Sequence, residues 1–226
     1  MSNIIVTGGS KGLGAYIVSA LHEQRHRVFD YSLESGGDVT RPDLDVALLM
    51  LDQQVDVLIN CAGINEINWL HAVTEKEWDR IIDTNLKGIF LMTQALLPQL
   101  RQQKGTVINI VSNAAHMPMR CSAAYNASKG GALILTKQLA RELAPDITVF
   151  SISPNRLAGT GMSAHIDARV IETRGWSLEE AQRYQRSALL TGEETPPVLV
   201  ADFIAYLLQT KVHHKFLTGC DIPYGA

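Results

Sequence analysis

Short apolar runs rich in β-branched residues alternate along this chain with longer stretches of helical periodicity. Few folds accept that rhythm. A strand that is apolar on every residue is buried on both faces, and such strands are joined through helices into a parallel sheet covered on either side. Ile4 to Thr7 reads as the first strand, followed by Val28 to Tyr31, Val55 to Asn60, Thr106 to Val111 and Thr148 to Ile152. Apolar spacing predicts helices over about Leu13 to Gln24, Glu75 to Gln102 with a disturbance at Pro98, Ala123 to Leu143 and Val198 to Leu208. Another helix is expected after Pro42, carrying Leu44, Val46, Ala47, Leu48 and Leu51 with Thr40 as its cap. The fold class expected is α/β, a doubly wound parallel sheet.

With 226 residues, 46% of them hydrophobic, the chain can bury a substantial core and is short for two domains, so residues 1–226 are expected to form one. A net charge of −3 gives no basic face for nucleic acid and no polybasic membrane signal, leaving a small molecule as the expected partner. Cys61, Cys121 and Cys220 form no C-x-x-C pair and read as reduced thiols. Neither a signal peptide nor a membrane span is apparent, which points to a cytoplasmic protein. His213 and His214 read as a solvated helix end, and no metal site is expected.

Chemistry enters at the turn Thr7-Gly8-Gly9-Ser10-Lys11-Gly12-Leu13-Gly14, between the first strand and the first helix. Backbone N–H groups at a helix N-terminus hold a pyrophosphate, and glycines there allow a tight turn and close approach of a dinucleotide. Tyr125 and Lys129 lie four positions apart, one helical turn, and so share a face. A phenol titrates near 10, and an ammonium beside it favours the phenolate, preparing Tyr125 for proton transfer. Ser112 closes the strand that ends Ile110-Val111, 13 positions before Tyr125, and strand ends line the binding crevice of an open α/β sheet.

Taken in order, these motifs resemble the short-chain dehydrogenase/reductase family in its short, single-domain branch. T-G-x-x-x-G-x-G is its glycine motif; Asn60-Cys61-Ala62-Gly63 resembles its N-N-A-G, with Cys for the second Asn; and Tyr125 with Lys129 gives Y-x-x-x-K. Thr218-Gly219 resembles the pair before its last strand, so the likeness runs nearly the whole chain. The resemblance implies a Rossmann-like fold and an NAD(P)(H)-dependent oxidoreductase that interconverts a carbonyl and an alcohol. It implies Asn85, Ser112, Tyr125 and Lys129 as catalytic residues, with Ser112 on the substrate oxygen and Lys129 also on the nicotinamide ribose. For the cofactor it implies Gly8, Ser10, Lys11, Gly12, Leu13, Gly14, Ser32, Asp38, Val39, Asn60, Ala62, Gly63, Pro154 and Thr160 besides Tyr125 and Lys129. Family members assemble through long helices, which implies a homodimer or homotetramer.

Ser32, counted from Gly14, falls where NAD-preferring relatives place an acid against the ribose 2′-OH, and Lys11 matches a basic residue used against a 2′-phosphate. NADP(H) is therefore expected over NAD(H), with Asp30 and Glu34 as the competing ribose acceptors. Only about seven residues separate the second strand from Asp38, too few for a crossover helix and another strand, so the usual edge strand is expected to be reduced or missing. The family's Pro-Gly is Pro154-Asn155 here; a left-handed Asn155 would preserve the turn.

Residues 156–197 form a long insertion after a strand's carboxyl end and read as a substrate lid. Its arginines, Arg156 to Arg186, hint at an anionic substrate, although Asp167, Glu172, Glu179 and Glu180 nearly balance them. His116, Met117 and Met119 are expected at the substrate pocket. Two rivals stand beside the enzyme: a non-catalytic dinucleotide sensor, disfavoured by the presence of Tyr125 and Lys129, and a sugar-nucleotide epimerase, which needs a larger C-terminal domain.

Overall fold

The computed structural model describes residues 1–187, 189–210 and 214–225; His213 and the side chain of Val46 lie outside the described residues. Its centre is a six-stranded sheet of β1 (Asn3–Thr7), β2 (Arg27–Tyr31), β3 (Val57–Asn60), β4 (Thr106–Ile110), β5 (Thr148–Pro154) and β6 (Asp221–Tyr224). The order is β2-β1-β3-β4-β5-β6, all parallel. β1, β3 and β4 are buried at every residue, which is why their sequences carry no polar alternation. On one face α1 (Gly12–Glu23) and α9 (Pro197–Gln209) cover Ile4, Val6, Ile59 and Ile152. On the other, α2 (Asp45–Met50), α4 (Gly88–Ala95), α5 (Leu97–Gln103) and α6 (Ala123–Leu143) cover Ile5, Leu58, Val107 and Val149.

The expected truncation is present: β2 is the edge strand, and a one-turn helix at Leu33–Ser35, closed by Gly36 at φ 87°, replaces the crossover. Ser35 accepts from the Ser32 N–H and donates to the Asp30 carbonyl, folding the turn back on β2. Two helix expectations need correction. α2 starts at Asp45, and Thr40 caps nothing; its N–H and hydroxyl both donate to Asp38 at 2.8 Å. The single helix from Glu75 is instead α3 (Glu75–Ile82), a π-helical turn (Asp83–Lys87), α4 and α5, and Pro98 opens α5 because a proline lacks the N–H that a continued helix would need.

α7 (Gly161–Arg174) and α8 (Leu178–Ser187) form the insertion. Its ends are tied together where the Thr195 N–H donates to the Arg156 carbonyl and the Ala158 N–H to the Thr195 carbonyl. His214 is not solvated: it is buried, with Nε2 3.3 Å from the Thr106 hydroxyl.

Candidate active site

The carboxyl ends of the strands open onto a cleft of about 690 Å³, at the edge where open parallel sheets bind ligands. At one end lie Gly8, Lys11, Gly12, Leu13, Gly14, Ser32, Asp38 and Val39; Ala62, Gly63, Ser112, Tyr125, Lys129, Pro154 and Thr160 continue the same wall. Ser10, Asn60 and Asn85 do not line it. Asn60 is buried in a chain behind the cleft, donating to Asn109, which donates to Thr136.

The glycine turn is built for close approach. A Cβ on Gly14 would stand 2.1 Å from the Gly8 carbonyl oxygen, and one on Gly8 would stand 2.9 Å from Ala62 Cα. Gly12 differs, with φ 53° and open space where its Cβ would be. The N-terminus of α1 has no side-chain cap, so its first amides are left to a ligand, a setting that fits a dinucleotide pyrophosphate. Thr7 secures the neighbouring wall by accepting from the N–H groups of Cys61 and Ala62, both at 3.0 Å.

Asp30 is turned beneath this loop rather than into the cleft. Its Oδ2 accepts from the hydroxyls of Ser10 and Ser32, so strand, glycine turn and the 32–36 turn form one unit. Lys11 pairs instead with Glu34, and that contact holds the Glu34 carboxyl below its ordinary range. Both line the cleft.

Ser112 and Tyr125 meet farther along. Burial pushes the Tyr125 phenol above its usual pKa, and the Ser112 hydroxyl beside it acts in the opposite direction. Lys129 Nζ is 5.9 Å from the Tyr125 ring centroid and donates to the Ile110 carbonyl at 2.9 Å. Burial lowers the Lys129 ammonium to about 8 and pushes the neighbouring Cys61 thiol up to about 12. The sequence expectation of a phenol lowered by the ammonium is therefore not met: burial raises it, and what acts against burial is the Ser112 hydroxyl, not Lys129. Asn85, in the π-helical turn and 1% exposed, accepts from the Ile64 N–H and donates to the Ile64 carbonyl and the Ser128 hydroxyl. It holds the wall from behind.

A family model for short chain dehydrogenases matches residues 46–170. The chain is 33% identical over 245 residues to the 3-oxoacyl-[acyl-carrier-protein] reductase of Staphylococcus aureus (strain Mu50), covering 96% of this chain and 94% of that protein. The chain belongs to the short-chain dehydrogenase family. With the corresponding reductase of Staphylococcus epidermidis (strain ATCC 35984) it is 38% identical over 170 residues, 74% of this chain and 64% of that relative's length. A variant of actinorhodin polyketide ketoreductase, solved with NADPH, superposes with a TM-score of 0.88 at 26% identity over 99% of this chain and 96% of that one. Membership bears out the expected Rossmann-like, doubly wound sheet.

Against the short-chain dehydrogenase pattern, several details of this chain stand out. Asn155 is not among the residues with positive φ. Its side chain instead accepts from the Thr195 hydroxyl at 2.6 Å and donates to the Gly225 carbonyl, so the Pro154 turn is held by side-chain bonds. Thr160 caps α7, accepting from the Ser163 N–H at 3.1 Å. Met117 and Met119 line the cleft, whereas His116 turns away to Asp221 at 2.8 Å. Arg156 lines the cleft but is held by Asp167 and Glu194, each at 2.8 Å, which cancels the anionic hint at that residue. Arg169 pairs with Glu172, and Arg174 stacks on Trp176 and Tyr184.

Sequence reasoning missed Asp30 as the clamp under the glycine turn and Asn65 on the cleft wall. Neither belongs to a spaced motif, and only the folded chain shows what their side chains meet. Among the described residues no helix is long and apolar enough to cross a membrane, and no group of His, Cys, Asp and Glu is placed to hold a metal.

Proposed function

We propose that this chain reduces a small-molecule carbonyl to an alcohol, or the reverse, with NADP(H) preferred over NAD(H). The observation that carries the reading is the convergence of Ser112, Tyr125 and Lys129 on a cleft continuous with the uncapped glycine turn. Bound nicotinamide supplies or accepts the hydride. Tyr125 gives the substrate oxygen its proton, Ser112 hydrogen-bonds that oxygen, and Lys129 stands by the phenol and the ribose. Asn85 acts through Ile64 and Ser128, positioning the wall. Gly8, Ser10, Lys11, Gly12, Leu13, Gly14, Ser32, Asp38, Val39, Ala62, Gly63, Pro154 and Thr160 hold the cofactor, and Asn60 serves it from behind.

Residues 156–197 act as the lid. His165 and Arg169 of α7 bond Glu66 and Asn68 at 2.9 and 2.6 Å, and Trp69 donates to the Thr173 carbonyl at 3.2 Å, so the lid is fastened to the loop after β3. The protein works in the cytoplasm as a homodimer or homotetramer. The likeness to 3-oxoacyl-[acyl-carrier-protein] reductases makes 3-oxoacyl thioesters the first substrates to try, followed by hydroxy ketones and simple ketones. Oxidation of NADPH, followed by its absorbance across that panel, tests the reading: turnover with at least one carbonyl is expected, and cofactor binding without turnover on any would return the sensor alternative.

A further inference from the structure

The Ser112 hydroxyl accepts from the Ala114 N–H at 3.1 Å, inside a one-turn 3₁₀ helix over Asn113–Ala115. The turn is closed where the Ala115 N–H donates to the Ser112 carbonyl and the His116 N–H to the Asn113 carbonyl, each at 2.9 Å. A hydroxyl carries a single hydrogen, so an oxygen lone pair spent on Ala114 leaves that hydrogen for what lies opposite, the Tyr125 phenol and the cleft. One isolated helical turn does not hold itself in water. What clamps it from outside therefore sets where Ser112 points.

Two clamps grip it. Asn126, next to Tyr125 on α6, donates to the carbonyls of Ala114 and Met117 at 2.7 and 2.9 Å. From the other side, His116 Nε2 lies 2.8 Å from Oδ2 of Asp221, the first residue of β6. Asp221 is a firm post: its side chain is 8% exposed, and its Oδ1 also accepts from the hydroxyls of Ser151 and Ser153 on β5, the strand that ends at Pro154. A carboxylate only accepts, so the imidazole donates through Nε2–H whether it is neutral or charged. An ion pair with one partner this exposed adds little to stability, and its geometric effect is the larger one.

Resting on the function proposed above, we infer that His116 and Asp221 are positioning residues whose bond holds the turn after β4 so that Ser112 presents its proton to the substrate oxygen opposite Tyr125. Neither touches substrate; both act through Ser112. The bond from Ser112 strengthens as negative charge develops on that oxygen, so loosening the turn falls on kcat rather than on KM.

His116→Ala and His116→Gln, whose amide nitrogen has the reach of the imidazole Nε2, test this with NADPH and the N-acetylcysteamine thioester of 3-oxobutanoate. His116→Ala should lose about tenfold in kcat and keep KM and the NADPH Kd within about twofold, and His116→Gln should recover most of the loss. A second readout needs no turnover. With tyrosine labelled by ¹³C at Cζ, the Tyr125 resonance, identified by its absence in Tyr125→Phe, should move in His116→Ala in the direction that Ser112→Ala moves it, and return in His116→Gln. A lowered Tm with unchanged kcat, a loss carried by KM, a glutamine variant as impaired as the alanine one, or a Tyr125 resonance that ignores His116 would overturn the assignment. Wild type idle on the thioester and on the wider carbonyl panel would overturn the proposed function, and the Tyr125 resonance then decides the positioning by itself.

Discussion

Lys129 stands close enough to Tyr125 for its ammonium to lie 5.9 Å from the ring centroid, yet it spends a hydrogen bond on the Ile110 carbonyl at 2.9 Å. The pair is thus held by the end of β4, the same strand end that leads into Ser112. Tyr125 is buried on α6 and, through Ser112, faces the cleft. Removing only its hydroxyl should leave packing intact. Tyr125→Phe is expected to lose about 10²- to 10⁴-fold in kcat while NADPH titration by fluorescence stays within about twofold of wild type. A phenylalanine variant turning over at the wild-type rate would remove Tyr125 from the chemistry.

Burial lowers Lys129 to about 8 from an ordinary 10.5, and this has a sign in stability. Between those values the unfolded chain keeps a proton that the folded one has released, so raising the pH favours folding; below about 8 both states are protonated and the full burial cost remains. Cys61 works against it, since a thiol pushed up to about 12 loses folded-state stability as pH rises past 9. Comparison with Lys129→Met cancels the Cys61 contribution. The ligand-free wild type should gain on Lys129→Met in denaturation midpoint as pH goes from about 8 to 10; a difference flat over that range would contradict the buried ammonium.

The two glycines at the start of α1 should fail differently. Gly14→Ala drives a methyl into the Gly8 carbonyl at 2.1 Å, against backbone that cannot swing aside as a side chain would, and should cost on the order of 1–3 kcal/mol of fold stability. Gly12→Ala meets nothing, so its cost is limited to about 1 kcal/mol of left-handed strain, while cofactor affinity should drop because the methyl is added to a residue that lines the cleft. Thermal denaturation and NADPH titration on the same two variants separate these outcomes. Equal thermal losses would show that the crowding is relieved elsewhere.

Most of this architecture was legible because its signals are local. The β4 strand, α6 and the reach from Ser112 to Tyr125 follow from apolar runs and helical spacing, and the lost edge strand follows from the few residues between β2 and Asp38. What was hidden depends on contacts between distant segments. Asp30 looks like a ribose acceptor in sequence, but only the fold turns it under Ser10. Asn155 was expected to keep its turn by a left-handed backbone, and instead the C-terminal strand brings Gly225 to its side chain. The π-helical turn at Asn85 leaves no mark in apolar periodicity, because Ile81, Ile89 and Met92 still fall on the buried side.

If residues 156–197 form a lid, exchange should report it. The neck at Arg156, Ala158 and Thr195 is closed by backbone bonds, whereas α7 and α8 reach the body through His165–Glu66, Arg169–Asn68 and the small cluster of Ile67, Val170 and Ala181. Amide exchange across 161–187 should slow when NADPH and substrate are both present, with little change at the neck. Equal protection with and without ligands would make this hairpin a fixed wall.

Cofactor preference turns on Lys11 and Glu34. Asp30 accepts from Ser10 and Ser32 through Oδ2 and does not line the cleft, whereas Ser32 lines it at the position where an acid would select NADH. The hydrogen bond from Lys11 holds the Glu34 carboxyl below its ordinary range. A 2′-phosphate must therefore take Lys11 away from Glu34, an exchange of one exposed charge-assisted contact for another that carries more negative charge. Lys11→Ala should weaken NADPH binding about tenfold and leave NADH nearly unchanged. Glu34→Gln should strengthen NADPH binding a few-fold, because it frees Lys11 and removes a repelling carboxylate. Both effects should shrink at high salt, since the groups are solvent-exposed. Fluorescence titration of the two cofactors against wild type and both variants decides it. If Glu34→Gln weakens NADH instead, Glu34 is itself the ribose acceptor, the short turn after β2 folds onto the cofactor, and the preference runs toward NADH.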